Sequence, residues 1–491
     1  MVLGCAALAL YLATPIQRGY GDGPNLVLLF ADPAGLQPVY NHALYLPLAR
    51  LLSSALEWVR LELTPAETLT LYSQLSAALG LACSYLVTRA LGGRRGPALL
   101  GTALFACAPP VWFYACLPEV HAPHFGAVSL VAVATLYAPW RKPVLAGALV
   151  TLLMPLLFLT HQTGLFLFPG WLLLIGLARA RISTPFSART LWLRVAPAIG
   201  LSFGLALFFN ASLRQIPLEA SLARSSQAVV THNGPILEGI WTGWLQPLAL
   251  LWLPLIAGLV VLATRRDRRN LALALLAVEL PSVLFFCWWG VPERGGYTLG
   301  GGAFLVTLAA IGFERLSPPS RERGLAALYT PALALFLVVM QLSYARFERN
   351  LFDDPAVNAA MQERVESART AFGSSEAPHV LVSFDATNQT ITAAAPEIRE
   401  LRLRVPLFRA AERGEQPRKF AENALLLVRD KSLGAELVLD RSYADFLEGD
   451  DPIVAMLLEF EALLRESYEI TEFPGPGGGF WRLTAPSPLP E

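Results

Sequence analysis

Long apolar runs alternate with short polar breaks over the first two-thirds of this 491-residue chain. A bilayer core needs about 20 mostly apolar residues per helix. Runs of that length or near it lie at 1–16, 69–91, 97–115, 122–138, 143–160, 163–178, 191–209, 244–264, 270–289, 298–314 and 325–343. They predict a polytopic α-helical membrane protein with about eleven transmembrane helices, the first of them short. Residues 41–60 (NHALYLPLARLLSSALEWVR) break the pattern, because Arg50, Glu57 and Arg60 stand among leucines. That mixture predicts an amphipathic helix lying in the interface rather than crossing. The long polar loop from about 210 to 243 ends at Trp241 and Trp244, read as interfacial anchors.

The pattern changes near residue 343. Segment 344–370 is charged and reads as a helix. HVLVSFD (379–385), ELRLRV (400–405), ALLLVRD (424–430) and AELVLD (435–440) are short apolar runs that read as strands. Segment 452–467 reads as a helix, and YEITEFP and GFWRLTA flank a Gly-Pro turn as a hairpin. The expected division is a transmembrane part, 1–343, and a small soluble α/β domain, 344–491.

Charge orients this arrangement. Only 15% of residues are charged, against about 25% in soluble domains. The formal net charge is +0, so no global field recruits nucleic acid. Fifteen Lys and Arg fall in one alternate set of loops, among them Arg94, Arg95, Arg141, Lys142 and Arg265, against six in the other set, among them Arg18 and Arg294. Basic loops stay in the cytoplasm. The N-terminus is then inside and the C-terminal domain is extracytoplasmic, in a membrane of bacterial inner type. The five cysteines, Cys5, Cys83, Cys107, Cys116 and Cys287, all lie in apolar runs and read as small buried hydrophobes.

Four polar clusters fall on the external face of this topology: Gly21-Asp22-Gly23, Pro118-Glu119-Val120-His121, Thr160-His161-Gln162-Thr163, and Pro292-Glu293-Arg294-Gly295-Gly296-Tyr297. Charged groups at membrane depth are costly and need a reason. Carboxylate, imidazole and guanidinium at one membrane face suit a lipid-linked phosphate. A carboxylate can deprotonate a hydroxyl, and an arginine can hold a phosphate through paired N–H donors. Each group also has a plainer reading. Asp22 is ordinary turn chemistry, Glu119 suits a helix start, Arg294 can pair with Glu293, and Tyr297 can be a belt aromatic. No phosphate-binding loop, nucleophile elbow or Cys-x-x-Cys pair is present.

GDGPNLVLLFA (21–31), PPVWFYACLPEVHA (109–122), LLFLTHQTGLFLFPG (156–170) and PERGGYTLG (292–300), in that order, resemble the GT-C superfamily of polyprenyl-phosphate-sugar glycosyltransferases. The likeness covers about residues 1–345 and is nearest to the multi-pass family that includes the transmembrane protein O-mannosyltransferases. The family's His-Pro-Pro-Gly-Tyr-Pro-Leu-Tyr segment is replaced by QPVYNHALYLPLARLL (37–52), with His42 and Tyr45 as its counterparts. The resemblance implies a GT-C-like inverting glycosyltransferase. Asp22 would be the catalytic base, and Glu119, His161, Arg294, Glu293, Tyr297, His42 and His121 would bind substrate. It implies a polyprenyl-phosphate-linked sugar as donor, membrane lipid around it, and a protein, glycan or lipid acceptor. A divalent ion, Mg or Mn, is the cofactor it brings into question, since the first loop has no Asp-x-Asp. Two other classes stand beside this reading: a transporter or flippase for a lipid-linked or anionic substrate, and a non-catalytic scaffold with an external binding domain.

Overall fold

The computed structural model describes residues 2–14, 23–31, 42, 44–61, 63–139, 142–167, 240–265, 269–289, 293–316, 355–373, 377–384, 398–403, 414–431, 434–443, 452–474 and 479–484, with isolated positions between them. The chain divides into two compact units, Met1–Ile16 with Asp32–Phe352, and Gln17–Ala31 with Asp353–Glu491.

The first unit is helical among its described residues. Its elements are α1 (Val2–Leu12), α3 (Tyr45–Trp58), α4 (Pro65–Ala90), α5 (Arg95–Ala106), α6 (Pro109–Ala115), α7 (His121–Tyr137), α8 (Pro143–Thr160), α9 (Trp252–Thr264), α10 (Arg269–Trp289) and α11 (Gly302–Leu316), while α2 (Gly23–Ala31) groups with the second unit. Local chemistry sets the start of α4. The Glu67 N–H donates to Thr64 Oγ1 at 3.3 Å, and the Thr64 N–H donates back to Glu67 Oε2 at 2.8 Å. Pro65 follows at the first helical position, where no N–H is needed.

The helix α4 is turned inside out by the standard of a water-soluble protein. Ser73, Gln74, Ser84 and Thr88 are buried, while Leu75, Leu79 and Leu86 face outward. On α10 the exposed leucines Leu276, Leu280 and Leu284 form a stripe four residues apart. Apolar stripes of this extent suit hydrocarbon rather than water. By length and composition, two helical runs among the described residues are apolar enough to cross a membrane, Gln246–Thr264 and Gly295–Arg315. A third is the pair α5–α6, bent by 61°. Of the eleven or so expected spans, two or three meet this test among the described residues. The break before Pro109 bends the α5–α6 run, and the polar buried residues of α4 dilute its apolar character. The spans expected at 191–209 and 325–343 lie largely outside the described residues. Two smaller expectations change. Trp244 is buried, with its carbonyl accepting from Trp252 Nε1 at 3.3 Å, so only Trp241 is exposed. Cys5 is exposed, whereas Cys83, Cys107 and Cys116 are buried.

The second unit is a three-layer α/β domain. Its sheet runs β2 (Ile398–Arg402), β1 (His379–Ser383), β3 (Glu436–Asp440), β5 (Phe480–Thr484), β4 (Glu469–Phe473). Strands β2, β1 and β3 are parallel; β3, β5 and β4 are antiparallel. Alternate residues face opposite layers. Val380, Val382, Leu437, Leu439, Trp481 and Leu483 pack on α13 (Pro417–Lys431) and α14 (Pro452–Ser467). Leu381, Val438 and Phe480 pack on α12 (Pro355–Phe372). The strand expected at 424–430 is part of helix α13. Its buried residues Phe420, Ala421, Ala424, Leu425 and Val428 recur at helical spacing, a period that a seven-residue window hides.

Candidate active site

Two long-range hydrogen bonds frame the site in the first unit. The Leu44 N–H, just before α3, donates to the Leu159 carbonyl near the end of α8 at 2.8 Å. The Ser73 hydroxyl on α4 donates to the Glu119 carbonyl in the α6–α7 turn at 3.3 Å. The first bond brings the segment carrying His42 to the end of α8, and the second ties Glu119-Val120-His121 to α4.

Helix α8 stops at Thr160. His161 is extended (φ −161°, ψ 132°) and a 3-10 turn, Gln162–Leu167, follows. Four of the chain's six histidines gather there, which composition alone would not produce. The His161 ring lies 4.6 Å from His42, 5.2 Å from His124 and 5.5 Å from His121, centroid to centroid. The Tyr297 ring stands edge-on to His121 at 5.2 Å and 6.2 Å from His161. Tyr114 stands edge-on to His121 at 4.5 Å. All four histidines are buried. His161 Nδ1 accepts from the Thr163 N–H at 3.1 Å and lies 2.7 Å from the Thr163 hydroxyl. Neutral His161 therefore carries its proton on Nε2 and presents a donor there.

Glu119 is buried, and its Oε2 accepts from the Val120 N–H at 2.6 Å. Burial, and after it the Glu119 charge, hold the Tyr45 phenol at the start of α3 well above its ordinary pKa. Tyr297 belongs to an unusual 3-10 segment, Glu293–Gly301, of nine residues. Such runs rarely exceed four residues, and long ones mark strained or functional stretches. Its glycines permit close approach: a Cβ on Gly296 would stand 2.8 Å from His121 Nε2 and from Tyr114.

The structure thus brings His42, His121, His161 and Tyr297 together, with Glu119 two residues before His121. Asp22 lies outside the described residues. Glu293 and Arg294 are described in backbone only, inside the same 3-10 segment as Tyr297. His124 and Glu279 also belong to this region. His124 Nδ1 lies 3.1 Å from the Thr160 hydroxyl, and Glu279 of α10 has its carboxylate against Gly301. The signal for Glu279 was present in the sequence, as one carboxylate inside the apolar run LALALLAVELPSVLFF. Among the described residues no three His, Cys, Asp or Glu side chains converge as metal ligands. No donor set among the described residues fits the divalent ion that the resemblance raised, and Asp22 and the Glu293 side chain lie outside them.

No family model matches the sequence, and no curated protein matches it. Solved structures do match. ArnT from Cupriavidus metallidurans bound to undecaprenyl phosphate superposes with a TM-score of 0.58 at 13% identity, over 100% of this chain and 99% of that one. ArnT from the same organism in the apo state gives 0.58 at 12% identity, over 100% and 98%. The chain therefore shares the fold of ArnT along its whole length.

Proposed function

We propose that this protein is a multi-pass inner-membrane glycosyltransferase that moves a sugar from a polyprenyl phosphate to an acceptor hydroxyl on the extracytoplasmic face. The observation that carries this reading is the whole-length fold match to ArnT, one of whose structures is bound to undecaprenyl phosphate. The buried histidine cluster beside Glu119 and Tyr297 supplies a polar site within an otherwise apolar unit. The reading also rests on the outward leucines of α4 and α10, which suit a hydrocarbon surround.

In this reaction the acceptor oxygen attacks the anomeric carbon while Asp22 takes its proton. The bond from that carbon to the phosphate oxygen breaks, its electron pair stays on the phosphate, and the configuration inverts. Arg294 holds the departing polyprenyl phosphate through paired N–H donors. In a 3-10 repeat of three, Arg294, Tyr297 and Gly300 occupy equivalent register positions. The His161 Nε2–H donates to the phosphate or to a sugar oxygen, and His42 and His121 hold the ring of His161. Glu119, and Glu293 at the head of the 3-10 segment, orient donor or acceptor. Most of the rate gain in such a site comes from positioning.

The test uses purified full-length protein in nanodiscs and a panel of radiolabelled polyprenyl-phosphate sugars. Slow release of free sugar is followed for wild type, Asp22→Asn and Arg294→Ala. Release by wild type, reduced about a hundredfold or more in Asp22→Asn, supports the reading. Binding of the lipid phosphate without release from any donor, even with acceptor extracts added, would point to a transporter and overturn it.

A further inference from the structure

Glu279 stands midway along α10, and an ionisable side chain within an apolar span is costly unless something pairs with it. Among the described residues it has no ion pair, and neither of its buried carboxylate oxygens has a hydrogen-bond partner. The backbone opposite is cut away for it. A Cβ on Gly301, the residue just before α11, would overlap the carboxylate. A carboxylate serving only as the cap of α11 would accept an N–H from the first turn, and no such bond is made.

The neighbouring residue repeats the pattern. A Cβ on Gly300 would stand 3.4 Å from His124 Nε2. The Thr160 hydroxyl donates to the Leu156 carbonyl at 2.6 Å, so it can only accept from His124 Nδ1–H. That fixes neutral His124 with its bare lone pair on Nε2, and this nitrogen too is buried without a partner among the described residues. Two buried acceptors without donors therefore border successive residues of one 3-10 turn. Its preceding turn carries Tyr297 against His121 and His161, so the pair adjoins the cluster already described.

We propose that Glu279 and His124 Nε2 form the subsite that accepts hydrogen bonds from the hydroxyl groups of the transferred sugar. The inference rests on the glycosyltransferase reading and names which groups read the donor's sugar. Two acceptors bordering successive residues complement a pair of O–H donors on one molecule. A sugar ring offers such a pair, and a bare phosphate or a prenyl chain does not.

The experiment measures, in nanodiscs, the affinity of full-length wild type, Glu279→Gln, Glu279→Ala and His124→Gln for two probes. One probe is undecaprenyl phosphate; the other is the sugar-loaded donor that wild type hydrolyses. The expected result is unchanged affinity for undecaprenyl phosphate and about a tenfold or greater loss for the loaded donor. Wild type should lose a similar factor towards one deoxy-sugar donor, and Glu279→Gln should lose little more towards that donor. Thermal melting should be unchanged or raised in Glu279→Ala, since the substitution removes a buried polar group without a partner among the described residues. Equal affinity of variants and wild type for the loaded donor would overturn the proposal. So would a lowered melting temperature with both probes lost in parallel, which marks a structural brace between α10 and α11. If the variants fail to fold, wild-type indifference to every deoxy donor overturns it. Failure of the underlying reading is seen separately, in wild type that binds neither probe.

Discussion

Tyr443, just after β3, shows how single groups hold the second unit together. Its buried hydroxyl donates to Glu461 Oε1 at 3.0 Å, and Arg441 Nε donates to the same oxygen at 3.0 Å. The Arg441 guanidinium lies over the Trp481 ring, 4.2 Å from its centroid. Burial, and after it the Glu461 charge, push the Tyr443 pKa well above its ordinary value. The folded state therefore favours the neutral phenol. That contribution is fully present below the unfolded value of about 10 and is lost as pH rises through the raised folded value. Tyr443→Phe should lower the stability of this unit by about 1 kcal/mol near neutral pH. The gap between variant and wild type should close as pH rises above about 10. Scanning calorimetry of the full chain from pH 7 to 11 checks this, and a gap that stays constant would contradict it. At this scale the sequence was readable where polar residues interrupt apolar runs in clusters. Glu119, His121, His161 and Tyr297 stood out in that way. Glu279 was legible only as a lone carboxylate in a long apolar run, which carries no motif, and the fold adds its place against Gly301. The tautomer of His124 depends on Thr160 and Leu156, neighbours across a helix interface and a turn that no linear pattern displays.

Elements are held in the first unit by small residues as much as by apolar area. A Cβ on Gly312 of α11 would overlap the Pro254 carbonyl, and one on Gly258 of α9 would overlap the Leu308 carbonyl. The α9 and α11 backbones thus approach closely in both directions, as helices do where water supplies little driving force. Gly312→Ala has two opposed effects. It gains about 1 kcal/mol of helix propensity, and it forces a methyl into a carbonyl that rigid helix cannot move. Overpacking of this kind costs about 1–3 kcal/mol or more, so the expected net result is a lower melting temperature and a broader gel-filtration peak. Gly96→Ala, whose added methyl meets nothing within 4 Å, should be neutral or stabilising and serves as the control. An unchanged melting temperature for Gly312→Ala would show that the two helices slide freely. Element type was legible where the period was long enough to see. The hairpin β4–β5 and strands β1 and β3 follow their alternation, and α12 and α14 follow their charge and length. Helix α13 reads as a strand in isolation because ALLLV (424–428) is an unbroken apolar run, and its helical spacing appears only once Phe420 and Ala421 are included.

The whole molecule is a case in which fold outlasts sequence signal. At 12–13% identity no family model responds, yet the chain superposes end to end on ArnT. The requirement on a membrane helix is loose, since most apolar residues serve equally towards lipid, and what remains fixed is the placement of breaks, small residues and a few polar groups. Charge asymmetry adds one global expectation that coordinates do not: the fifteen basic residues of one loop set against six of the other predict which way the chain is oriented in a membrane. Labelling of single cysteines in a cysteine-free background, with a membrane-impermeant maleimide on spheroplasts, tests the resulting topology. Gln416→Cys, at an exposed position before α13, should react in intact spheroplasts. Gly96→Cys, beside Arg94 and Arg95 with open space around it, should react only after permeabilisation. The two must differ if an odd number of crossings separates them, and reaction of both from one side would require an even number. Reaction of Gly96→Cys from outside and Gln416→Cys from inside would invert the molecule. The histidine cluster follows α6 in the chain, across the α5–α6 pair from the Arg94–Arg95 turn. Inversion would carry it to the cytoplasmic face and force the donor lipid to be met there.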